Sequence, residues 1–166
     1  DPLTSASDRT VDGRAIGTPA YMSPEQAEGR LEAIDERSDL WSLGAVLFEL
    51  LTGRPPFVGV NAFEVIGKVI AEPVPSPRTL LPEVPPELSS ICEKALRRAP
   101  EQRYGTAQEL AEEVAAFRAG ARVRVYEYTS WELLKRFVAR NRAVSAAALV
   151  LLVTLTAGSA VIFSAY

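Results

Sequence analysis

Gly17-Thr18-Pro19-Ala20-Tyr21-Met22-Ser23-Pro24-Glu25-Gln26, followed downstream by Ser38-Asp39-Leu40-Trp41-Ser42-Leu43-Gly44, decides how this chain is read. In the first string the Ser23 hydroxyl is placed to cap a short helix with Pro24 at its first position. The second string opens a helix expected from about Asp39 to Thr52, with Ser38 as its cap and Gly53, then Pro55-Pro56, as its stop. Leu40, Trp41, Leu43, Ala45, Val46, Leu47, Phe48, Leu50 and Leu51 make this helix apolar nearly all round, which predicts burial on every side. It is too short to cross a bilayer, which takes roughly 20 residues. It is expected as the central strut of a helical domain.

Working outward, three amphipathic helices are expected. Asn61 heads one carrying Phe63, Ile66, Val69 and Ile70, with Glu64 placed as in a capping box. Pro86 opens the next, where Leu88, Ile91, Cys92, Ala95 and Leu96 share a face. Thr106 and Glu109 form a second capping-box pattern, heading a helix with Leu110, Val114 and Phe117 on one face and Gly120 at its end. The proline-rich segment between Pro73 and Pro86 predicts an extended connection. Residues 1–16 are polar and have a loop composition.

The 166 residues allow about one domain. A net charge of −3 argues against a dedicated nucleic-acid binder. The single cysteine, Cys92, excludes an internal disulfide and suits a reducing compartment. The chain starts at Asp1 and reads as a fragment.

The two opening strings resemble the end of the activation segment and the following core helix of a protein serine/threonine kinase, over about Asp1 to Ala119. Gln26 and the overall arrangement resemble the eukaryotic-like kinases of bacteria. The resemblance implies that Thr18 and Pro19 belong to the loop receiving the substrate peptide, Thr18 bonding the catalytic aspartate and lysine. Glu25 matches the acid of the family's Ala-Pro-Glu motif, with Ser23 in place of the alanine. Arg103 stands where the family places the buried arginine that pairs with it. Asp39 matches the aspartate that opens the central helix and accepts bonds from catalytic-loop amides. Thr4, Ser5, Ser7 and Thr10 fall where the family carries activating phosphates, with Thr10 the first choice.

A kinase of this kind uses ATP and Mg2+, through a glycine-rich loop, a strand lysine, a His-Arg-Asp loop and an Asp-Phe-Gly ligand. This sequence has no histidine and no Asp-Phe-Gly. No catalytic or metal-binding residue is therefore assigned, and the fragment alone is expected to be inactive and to bind no cofactor.

The C-terminal part changes character. Arg118, Arg122, Arg124, Lys135, Arg136, Arg140 and Arg142 precede a stretch, 143–166, without any charge. Residues 143–163 are long enough to cross a hydrocarbon core of about 30 Å. The one-sided basic residues orient the helical domain to the cytoplasm, as a single-pass inner-membrane protein.

The expected fold class is mainly α: kinase C-lobe helices, then a juxtamembrane and a transmembrane helix. The expected divisions are an activation segment and peptide-binding loop at 1–22, lobe helices at 23–119, a basic juxtamembrane segment at 120–142 and a span at 143–163. Implied partners are protein substrates, membrane lipid and a second kinase copy, without nucleic acid. A competing reading is a degenerate kinase-like module that docks partners at the membrane.

Overall fold

The computed structural model describes residues 18–147 and residue 154. The candidate phosphosites Thr4, Ser5, Ser7 and Thr10, and most of the expected span 143–163, lie outside the described residues. No described helix is long and apolar enough to cross a membrane.

Among the described residues seven α-helices have both ends described, α1 (Pro24–Ala27), α2 (Glu36–Thr52), α3 (Ala62–Ala71), α4 (Pro77–Leu80), α5 (Pro86–Ala95), α6 (Ala107–Arg118) and α7 (Ser130–Arg140), and residues 142–147 are helical as well. Short 3-10 turns occupy Thr18–Tyr21, Leu31–Ala33 and Pro100–Gln102. No strand occurs among the described residues. The chain divides into two compact units, one ending at Tyr126 and one beginning at Glu127.

In the first unit the core lies on two sides of α2. Trp41, Ala45 and Phe48 meet Phe57, Val65, Val69, Cys92 and Leu96. Leu40 meets Ile91, Ala95, Tyr104, Leu110 and Val123. Each large side chain so buried contributes about 1.5–3 kcal/mol. The close approach of α2 and α5 depends on Gly44, where an added Cβ would stand 2.8 Å from the Ala95 Cβ and 3.1 Å from the Leu96 Cγ. The Cys92 Sγ donates to the Gly44 carbonyl at 3.5 Å, on the same crossing. Burial raises that thiol's pKa far above its ordinary value, with the Glu93 charge adding to it, so Cys92 acts as a small core residue.

The structure corrects several expectations. Helix α2 starts at Glu36, capped by Asp35, whose carboxylate accepts from the Arg37 amide at 2.8 Å. Asp39 therefore sits within the first turn and does not open the helix. Ser38 cannot serve as the cap because it is buried inside the helix with its hydroxyl committed elsewhere.

Nor is α2 buried all round. Leu43, Val46 and Leu50 are 46%, 43% and 79% exposed, and no described residue covers that face. Of the expected α3 stripe Val69 is buried and Ile66 half-buried, but Phe63 and Ile70 are exposed, Phe63 by 86%, and Val65 takes the second buried place. The proline-rich connection holds a helical turn, α4, with Pro77 at its first position.

Asn61 and Thr106 do cap, accepting from the Glu64 and Glu109 amides at 2.9 and 3.2 Å. Their glutamates reach one residue further back than a capping box, to the Val60 and Gly105 amides, each at 2.9 Å. Reciprocal boxes form instead at Ser23–Gln26 and Thr129–Glu132. After α6, Gly120 takes φ 65°, and the chain turns back to bury Val123. Glu113 fixes that return by accepting from the Arg124 amide at 2.8 Å. The first unit thus packs residues past Ala119, to Tyr126.

Candidate functional site

The centre of the site is a buried ion pair. Short helix α1 presents Glu25, and the turn after Pro100–Gln102 presents Arg103, both side chains with zero exposure. The guanidinium grips the carboxylate in two parallel bonds, Nη1 to Oε1 at 2.7 Å and Nη2 to Oε2 at 2.9 Å. Its other N–H groups donate to the carbonyls of Arg97 (2.8 Å), Arg37 (2.8 Å) and Arg98 (3.0 Å). Every guanidinium donor is thereby used. The Ser38 hydroxyl adds a bond to Glu25 Oε1 at 2.7 Å, and the Arg103 guanidinium lies 5.2 Å from the centre of the Trp41 ring.

Two buried charges are tolerated because their hydrogen-bonding capacity is met. Burial by itself pushes the Glu25 carboxyl upward. The bonds from Arg103 and Ser38 outweigh this and bring its pKa down to about 2. The pair therefore stays ionised at neutral pH, holding α1, the start of α2 and the turn before α6 at one point.

Next to α1, the 3-10 turn Thr18–Tyr21 packs against α2 and α3. Tyr21 anchors it twice on α2: its carbonyl accepts from the Ser42 hydroxyl at 2.9 Å, and its own hydroxyl donates to Glu49 Oε2. Thr18 and Pro19 lie directly upstream of the Tyr21 anchor, and the ion pair fixes the chain downstream of it. Tyr21, Ser38, Ser42 and Glu49 were missed in the sequence. The available signal was that Ser42 and Glu49 are polar interruptions, seven residues apart, in an otherwise apolar helix.

Asp39 is not gathered into this cluster. It lies on the outer face of α2, exposed, in line with Leu43, Val46 and Leu50. Among the described residues no group of three or more carboxylate, cysteine or histidine side chains could hold a metal ion. No phosphate-handling step is assigned to the described residues.

An all-helical lobe in which a Ser-Pro-Glu helix is latched to a late arginine across a central apolar helix is of the protein-kinase C-terminal type. The protein kinase domain family matches residues 5–115, and the chain belongs to that family. It is similar to the probable serine/threonine-protein kinase PknB of Bifidobacterium longum, 40% identical over 116 residues, covering 70% of this chain and 16% of the relative. It is 44% identical over 107 residues to a probable serine/threonine-protein kinase of Streptomyces coelicolor, covering 64% of this chain and 16% of the relative. With the serine/threonine-protein kinase PknB of Mycolicibacterium smegmatis the identity is 47% over 102 residues, covering 61% of this chain and 16% of that protein. The match thus spans about a sixth of each relative's length.

Proposed function

We propose that these residues form the substrate-side helical part of a membrane-anchored protein serine/threonine kinase. The complete kinase transfers the γ-phosphate of ATP to serine or threonine of protein substrates, using Mg2+. The observation that carries this reading is the exposed stripe on α2. Asp39, Leu43, Val46 and Leu50 recur at helical spacing on one face of a helix whose other faces are buried. A contiguous apolar row on the central helix of a lobe is a face that another part of the same fold covers. Asp39 at its head suits backbone amides arriving there, as the catalytic loop's do in the family.

In this reading the Thr18–Pro19 segment aligns the acceptor peptide, with the Thr18 hydroxyl serving the catalytic aspartate and lysine as in the family. Tyr21, Ser42 and Glu49 hold that loop on α2, and the Glu25–Arg103 pair fixes its downstream end. Nucleotide binding and proton removal belong to residues outside this sequence, so the chain by itself is inactive.

The uncharged stretch 143–163 supplies the membrane anchor, and the basic residues before it place the lobe on the cytoplasmic side. Support for the anchor comes from sequence length and charge asymmetry alone.

The stripe is testable by Leu50→Asp, made both in this chain and in a chimera that joins it to the upstream part of the Mycolicibacterium smegmatis relative. An exposed position tolerates the change within about 0.5 kcal/mol in the chain alone. In the chimera the same change should cost about 2–5 kcal/mol, as for a charge placed in a buried apolar contact. Equal effects in both would remove the covered-face reading.

A further inference from the structure

We propose that α7 lies flat on an anionic phospholipid surface, its apolar side among the upper acyl chains and its basic side chains on lipid phosphates. Trp131, Leu134, Phe137 and Val138 are all exposed, Trp131 by 62%. At about 100° per residue these four fall within an arc of about 120°. Lys135 borders the Trp131 edge of the arc, and Arg140 lies beyond the Phe137 edge. The helix's one acid, Glu132, is drawn into the cap, where its carboxylate accepts from the Thr129 amide at 2.7 Å. The polar side therefore presents an excess of positive charge.

Cations and rings are also paired as an interface requires. The Lys135 ammonium stands 5.4 Å from the Trp131 ring centre, and the Arg136 guanidinium 4.6 Å from that of Tyr128. Such pairs put an amphipathic ring and a positive head at the same depth, where headgroups meet acyl chains. A shallow apolar trough between Trp131, Leu134, Val138 and Ala139 is rimmed by Lys135 and Arg142. Apolar floor and cationic rim match an anionic lipid in chemistry and sign. A helix of this kind sinks about 5–10 Å into the interface.

This inference deepens the membrane reading but does not require 143–163 to span the bilayer. It is tested on the full chain with vesicles of equal parts phosphatidylcholine and phosphatidylglycerol, and with phosphatidylcholine alone. Both carry brominated acyl chains that quench tryptophan. Trp41 is buried, so the difference between the parent chain and Trp131→Phe isolates Trp131.

With phosphatidylglycerol present, Trp131 emission should shift to the blue and be quenched. Lys135→Gln with Arg140→Gln should reduce the ratio of quenched to unquenched Trp131 about 25-fold, or about fivefold per basic residue. Because both side chains are exposed, the lobe's unfolding midpoint should not move. A chain that floats with both vesicles while Trp131 remains unquenched overturns the inference and leaves the spanning reading intact. A chain that floats only with phosphatidylglycerol, with Trp131 quenched, supports the inference and removes the span. Equal quenching in phosphatidylcholine alone overturns the anionic preference, and no flotation with either vesicle overturns both readings.

Discussion

Arg103→Ala is the most informative single substitution in this lobe. It deletes both bonds to the Glu25 carboxylate and the donors serving the Arg37, Arg97 and Arg98 carbonyls. Glu25 would keep the Ser38 hydroxyl and its own backbone amide, but no counter-charge, in a site with zero exposure. Breaking one side of a buried pair costs about 3–5 kcal/mol. With a urea m-value of about 1–3 kcal/mol/M, the unfolding midpoint should fall by about 2 M. That is a large share of the 5–15 kcal/mol by which domains are typically stable. The assay is urea unfolding of the detergent-solubilised chain, followed by Trp41 fluorescence, with Trp131→Phe as background. Adding Glu25→Leu to Arg103→Ala removes the orphaned carboxylate and should recover much of the loss, a coupling of at least about 1.5 kcal/mol. A midpoint unmoved by Arg103→Ala, or strictly additive single and double variants, would refute the pairing energetics.

Three further outcomes are expected. The Glu25 carboxyl has a folded pKa of about 2 against an ordinary value of 4.5, so the unfolded chain binds more protons between these limits. Stability from this group is complete above pH 4.5 and disappears as the pH falls toward 2, about 3 kcal/mol in all, and Glu25→Gln should flatten that part of the unfolding profile. Gly44→Ala should lower stability by about 1–3 kcal/mol in the same urea assay, because its methyl would meet the backbone-fixed Ala95 Cβ and Leu96. Alkaline phosphatase fused after Tyr166 in a bacterial host should be active and a cytoplasm-dependent fluorescent protein there dark. The reverse pattern would invert the proposed orientation.

The pairing of Glu25 with Arg103 was legible because a Ser-Pro-Glu helix and a late arginine occur in family register. Their burial and the carbonyls around them were not, because they depend on how three distant segments meet. The start of α2 was misread for a related reason. Asp35 and Ser38 are both good caps by residue type, and only the demand of the Glu25 carboxylate for a donor takes Ser38 inward. In α3 both the expected set Phe63, Ile66, Val69 and Ile70 and the buried pair Val65–Val69 fit a helical period, so periodicity could not decide which side of Val69 turns to the core. The return of Val123 was hidden behind Gly120 and a basic, polar-looking segment. The uncovered side of α2 was illegible in principle: an all-apolar helix reads as buried whether or not the residues that bury it are in the sequence.

The most direct measurement is phosphotransfer by a chimera in which residues 1–126 replace the matching segment of the Mycolicibacterium smegmatis relative, assayed with radiolabelled ATP, Mg2+ and a generic protein substrate. The expected result is phosphate on serine and threonine, with Thr18→Ala leaving nucleotide binding intact and lowering transfer by at least about tenfold, since alignment of the reacting groups is worth several kcal/mol. A folded chimera that binds ATP as its parent does but transfers no phosphate, or one in which Thr18→Ala transfers phosphate at the unchanged rate, would contradict the assignment of this lobe to substrate alignment.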